Sequence, residues 1–165
     1  MPRRRSAPKP SSWFALAGLV MIVDQITKVW VLSRFRTGER LTVIPGLFDF
    51  TLVYNPGAAF SFLAWGDGWQ RWLFIGIGIA ASGFIAWLIA RHAEQRLFAF
   101  ALALILGGAI GNVIDRFVHG QVVDFLLAHW FDKAYFPAFN VADAAITAGA
   151  ALIILDELLR VRKSR

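Results

Sequence analysis

Residues 97–117 read LFAFALALILGGAIGNVIDRF, from Leu97 to Phe117. No charge interrupts the stretch before Asp115, and its length suits the ~20 residues that a helix rising ~1.5 Å per residue needs to cross a bilayer. In hydrocarbon the backbone must satisfy its own hydrogen bonds, so such a run is a helix. Similar apolar stretches at about 13–32, 69–90 and 139–159 complete a set of four transmembrane helices. The expected fold class is therefore an all-α membrane protein, folded as a single domain. Composition agrees: 58% hydrophobic and 17% charged residues, with 15 Phe and 7 Trp, present more apolar surface than a soluble chain of 165 residues could bury.

The net charge of +6 collects at the helix ends. Arg3, Arg4, Arg5 and Lys9 lie in a basic tail, 1–12, and Arg160, Arg162, Lys163 and Arg165 close the chain. These clusters flank apolar helices and form no groove with interleaved aromatics, so nucleic-acid binding is rejected. The short link Arg91-His-Ala-Glu-Gln-Arg96 is also basic. By the positive-inside rule, both termini and this link are cytoplasmic, and the other two connections face outward. Arg34, Arg36 and Arg40, in the first outer connection, are the exceptions. Asp24 and Lys28 break the first apolar run and no small-x-small site follows it, so it reads as a retained helix and not a cleaved signal peptide. The chain has no Cys, which excludes disulfides and thiol chemistry.

The first outer loop, about 33–68, carries β-branched alternation around Pro45-Gly46 and ends in Asn55-Pro-Gly57. That pattern predicts a small β-rich cradle. The second, about 118–138, holds Phe125, Trp130, Phe131, Tyr135 and Phe136 and reads as a short aromatic flap at headgroup level.

Polar residues within the apolar runs are the informative ones, because an Asp or Lys at a helix centre costs ~2.5–3.5 kcal/mol. Asp24 and Lys28 stand i, i+4 with the acid first and read as a structural pair. In the third helix Gly107 and Gly111 permit close helix approach. Asn112 and Arg116 share a face there, with Asp115 beside it. Asp124 follows the third helix, and Asn140 and Asp143 open the fourth, so the two acids meet the same membrane surface. Two carboxylates in a poorly hydrated site share one proton, and such a pair can activate water against a carbonyl. The bare residues fit equally a loop acid at Asp124 and a helix-capping acid at Asp143.

Five segments bear a family likeness. They are Asp24-Gln-Ile-Thr-Lys28, Asn55-Pro-Gly57-Ala-Ala-Phe-Ser61, Gly107-Gly-Ala-Ile-Gly-Asn112-Val-Ile-Asp115-Arg116, Val122-Val-Asp124-Phe125 and Phe139-Asn140-Val-Ala-Asp143. In this order the chain resembles the lipoprotein signal peptidases (signal peptidase II) over nearly its whole length. The resemblance implies that Asp124 and Asp143 form a catalytic dyad. It implies that Asn55, Gly57, Asn112, Asp115, Arg116 and Asn140 line or support the substrate site. The implied substrate is a diacylglyceryl-modified prolipoprotein, cut just before its lipid-modified cysteine, at the outer (periplasmic) face of a bacterial inner membrane. Ala144 departs from the family, where Ser is frequent.

No metal and no cofactor are expected, since His92, His119 and His129 lack metal spacing and no zinc-protease motif occurs. Ser61 and Ser82 have no histidine base at a recognisable spacing. The expected partners are the lipid-modified substrate and membrane lipid, and one chain holds the whole site, so a monomer is expected. A proton-coupled carrier and a noncatalytic assembly subunit are the competing functions. The clustering of the acids at one face and the lack of an inverted repeat weigh against the carrier.

Overall fold

The computed structural model describes residues 8–57, 68–131 and 133–163. The first seven residues of the basic tail, the Ala58–Ser61 part of the second motif and the rest of 58–67 lie outside them. In chain order the elements are α1 (Pro10–Arg34), β1 (Arg40–Ile44), β2 (Phe48–Asn55), α2 (Trp69–His92), α3 (Arg96–Val118), β3 (Val122–Trp130), β4 (Ala134–Tyr135) and α4 (Val141–Lys163).

Among the described residues, α1, α2 and α3 are long and apolar enough to cross a membrane. Their large apolar side chains stand outward as well as inward: Ile26 and Val29 on α1 and Ile77 and Ile79 on α2 are exposed. That is the surface a helix shows when hydrocarbon is its solvent. The helices run up and down. Trp13, near the start of α1, donates from Nε1 to the carbonyl of Ala93 just past α2. Arg160, near the end of α4, donates to Gln95 in the α2–α3 link. At the opposite end, Arg71 of α2 donates to the carbonyl of Phe117 of α3.

Helix α3 is the hub, packed against each of the other three. Its glycines make this possible. A Cβ on Gly108 would strike the carbonyl oxygen of Ala142, and one on Gly111 would lie 2.5 Å from the carboxylate of Asp24. So α4 and α1 both approach α3 at the level where polar groups collect.

The sheet has the order β1-β2-β3-β4 and is antiparallel throughout. The expected cradle is present, but the first outer loop supplies only half of it. The second loop, expected as a flap, instead contributes the nine-residue strand β3, which pairs with β2 from Phe48↔Ala128 to Asn55↔Val122. Val123 and Phe125 bury against Val31 and Leu52, which seats the sheet on α1. The fourth helix begins at Val141 and not at Phe139; Phe139 is held outside it by a bridge to Leu126. The first helix is longer than read, running 10–34 where 13–32 was expected; α2 and α3 shift by a residue or two at the ends, and α4 runs on to Lys163, four residues past the expected 159.

Candidate active site

Asn140 and Asp143 set the start of α4 by capping each other. The Asn140 side-chain oxygen accepts from the Asp143 backbone N–H at 2.8 Å, and Asp143 Oδ2 accepts from the Asn140 N–H at 3.3 Å. This is a reciprocal capping box, with Asn as the cap and an acid three residues on. It fixes the Asp143 carboxylate and leaves Oδ1 to accept from Asn112 Nδ2 at 2.8 Å.

Asp124 arrives from β3, opposite Val53 of β2. Both of its oxygens are engaged: Oδ1 accepts from Asn140 Nδ2 at 2.8 Å and Oδ2 from Asn55 Nδ2 at 3.2 Å. Asn140 therefore touches both acids, one through each end of its amide. Burial, and after it the nearby charge of Asp143, push the Asp124 carboxyl up to about 7, against the pull of the Asn55 and Asn140 hydrogen bonds. A carboxyl raised that far is still partly protonated near neutral pH.

Asn112 is oriented by what lies behind it. Its side-chain oxygen accepts from Lys28 Nζ at 3.1 Å and from Asn140 Nδ2 at 3.3 Å, which leaves its NH2 for Asp143. Lys28 also bridges Asp24 and Asp115, each at 2.8 Å, and all three are buried. Asp24 in turn accepts from the Ala142 N–H at 2.8 Å, and Asp115 from the Val123 N–H at 3.0 Å. The pair read from the sequence as structural is therefore joined to the residues beside both acids. Gln25 joins the same cluster, donating to Asp24, Asp115 and the Gly111 carbonyl. Sequence reading passed over it, although a Gln beside Asp24 in an apolar helix was a signal of the same kind.

Arg116 donates to the Gly57 carbonyl at 2.8 Å and to the Asn112 carbonyl at 3.1 Å, and lies over the Phe74 ring. Gly57 is held in turn by its N–H, which donates to Asn55 Oδ1 at 3.0 Å. A cavity of about 1010 Å³ opens onto this arrangement, and Asn55, Gly57, Asn112, Arg116, Asp124 and Asp143 all line it. Asp115 and Asn140 do not line it and hold its walls from behind. Along α4 the lining continues as Ala144, Ile146, Thr147, Ala148 and Ala151, small or apolar side chains. Among the described residues no group of three or more His, Cys, Asp or Glu could hold a metal.

The chain matches the model of the signal peptidase (SPase) II family over residues 16–159. The chain belongs to that family. Curated lipoprotein signal peptidases resemble it over nearly their full length. That of Cupriavidus necator is 54% identical, covering 98% of this chain and 94% of its own; that of Chromobacterium violaceum is 50% identical, covering 96% of each. Two solved structures superpose well. A bacterial membrane enzyme determined by the in meso method at 2.3 Å resolution has a TM-score of 0.83 at 31% identity, over 94% of this chain and 92% of its own. Another, at 1.9 Å, has a TM-score of 0.80 at 33% identity, over 93% of this chain and 98% of its own. As a signal peptidase II family member with three helices able to span a bilayer, the chain is a membrane peptidase.

Proposed function

We propose that the chain is an aspartic endopeptidase that removes the signal peptide from diacylglyceryl-modified prolipoproteins, cutting just before the modified cysteine. The observation that carries this reading is the placement of Asp124 and Asp143 on one cavity wall, on different elements, with Asn140 bonded to both. In the proposed mechanism a water sits between the acids. The ionised carboxylate takes a proton from it as it attacks the scissile carbonyl, and the protonated partner donates to the carbonyl oxygen. The tetrahedral intermediate then collapses, and the leaving nitrogen takes the proton that the first carboxylate received.

Asn112 and Asn140 keep the carboxylates in place, and Arg116 holds the Asn55–Gly57 turn against the cavity. The substrate's acyl chains run along Ile146, Ala148 and Ala151 and stay in lipid. We infer that α4, 23 residues and so about 34 Å long, is a fourth span. Both termini are cytoplasmic and the dyad opens at the periplasmic face of the inner membrane, from the charge pattern of 91–96 and the two ends. One chain suffices.

The test is a gel-shift cleavage assay with purified protein and a lipid-modified prolipoprotein, with an unmodified substrate and Asp143→Asn as controls. Cleavage of the lipidated form alone, by wild type alone and unaffected by chelator, is expected. A folded wild type that leaves the lipidated substrate intact overturns the reading.

A further inference from the structure

The sheet carries a second cavity, of about 370 Å³, that shares a wall with the first: Val53 and the segment Phe136-Pro137-Ala138 border both. Beyond that wall its lining comes from the strands and their turns, with Thr51, Leu127 and Arg40. Arg40 is the one charged residue among the described lining. It is also one of the basic residues that the positive-inside rule leaves unexplained in an outer loop.

Its guanidinium is braced. It lies 5.1 Å from the centre of the Tyr135 ring, and Nη1 donates to the Tyr135 hydroxyl at 3.4 Å. Tyr135 stacks on His129 at 5.3 Å, and His129 Nε2 stands 3.4 Å from the buried Asp49 carboxylate. A planar cation laid on an aromatic face is partly ordered before any ligand arrives, which lowers the entropy cost of using it.

We propose that this cavity is a specificity subsite for the first residues of the mature polypeptide, those after the lipid-modified cysteine, and that Arg40 favours an acidic side chain among them. The proposal rests on the peptidase reading and deepens it. A substrate threaded past the dyad has one apolar end and one water-soluble end. The small and apolar face of α4 suits the first. The cavity that shares a wall with the one the dyad lines, but is built on the sheet with a cation in its lining, suits the second. An acidic residue bound in a cavity that borders the dyad's own is repelled by the charge the dyad retains unless a cation offsets it, and Arg40 lines that bordering cavity.

The test uses full-length protein and three lipidated substrates that differ only in carrying Asp, Ser or Lys at the second and third mature residues. Wild type is expected to prefer the Asp substrate over the Lys one by about fivefold in kcat/KM, carried on KM and shrinking as salt rises. Arg40→Lys should keep the direction of preference and Arg40→Glu reverse it, each read as the Asp-to-Lys ratio within one variant, with the Ser substrate as that variant's own reference. The same Asp-to-Lys ratio in wild type and Arg40→Glu overturns the proposal and leaves the peptidase reading standing. Should Arg40→Glu fail even on the Ser substrate, Arg40→Gln replaces it, and an unchanged ratio there is equally fatal. A wild type that cleaves none of the three overturns the peptidase reading, and the subsite with it.

Discussion

Lys28 Nζ donates to the side-chain oxygen of Asn112 at 3.1 Å and thereby decides which way round that amide sits. With the oxygen held by a cation, the NH2 faces Asp143. A residue four helical positions from Asp24 in α1 thus sets a hydrogen bond to an acid at the start of α4.

Lys28→Met should accordingly lower both stability and turnover. It leaves Asp24 and Asp115 buried without their cation, a change that costs about 3–5 kcal/mol when one partner of a buried pair is removed. Thermal unfolding in detergent, beside kcat on a lipidated substrate, measures the two effects. A variant with wild-type Tm would show that the bridge carries no net stability.

Asp124→Asn and Asp143→Asn should each reduce cleavage by at least about 100-fold, the lower end of what a positioned acid or base contributes. Both variants should still fold and insert, since an Asn accepts one of the two N–H bonds that each carboxylate receives. Single-turnover cleavage with circular dichroism on the same samples separates lost chemistry from lost fold.

Cleavage should decline as pH rises past about 7, because there the proton that Asp124 helps to retain is lost and no acid remains for the carbonyl oxygen. Stability follows the same sign. An unfolded Asp gives up its proton near 3.8, while the folded Asp124 holds it to about 7, so the native state weakens as pH climbs through that window. Tm should fall between about pH 4.5 and 7.5, a range that covers most of that window, more in wild type than in Asp124→Asn.

Asn140→Ala should move the alkaline limb of the rate profile upward, since the hydrogen bond from Asn140 favours the charged form of Asp124. It also removes the α4 cap, at about 1 kcal/mol. An unshifted limb in a pH–rate series on this variant would separate Asn140 from the titration of the dyad.

Gly108→Ala should destabilise the protein by about 1–3 kcal/mol, the usual cost of overpacking. Its new methyl would meet backbone, the Ala142 carbonyl, which cannot turn aside as a side chain can. Chemical denaturation in mixed micelles would register the loss.

The apolar helices were legible because a bilayer permits so few structures. The runs at 69–90 and 97–117 come within about two residues of α2 and α3. Strand β3 was not legible as a strand, and its burial explains why. Val122, Val123, Asp124 and Phe125 are all buried, so both faces are covered and the alternation that marks a half-exposed strand is missing. The start of α4 was placed two residues early because Phe139 continues the apolar run, whereas the capping box at Asn140 sets the true boundary. Asp124 and Asp143 stood out as polar residues at one surface. That Asn140 would also reach Asp124, or that Lys28 would reach Asn112, depends on how β3 meets the start of α4 and how α1 packs on α3, and no local pattern records it.

The bond from the Ala142 N–H to the Asp24 carboxylate ties the last helix to the first. A chain leaving the ribosome inserts its helices in order, so most of the site's scaffold exists before Asp143 is synthesised. On the proposed reading, activity therefore waits for the final helix to dock against α3, where the Ala142 N–H meets Asp24 and Asn140 meets Asn112. On that reading, assembly itself acts as the safety catch that a zymogen would obtain from a removable propeptide.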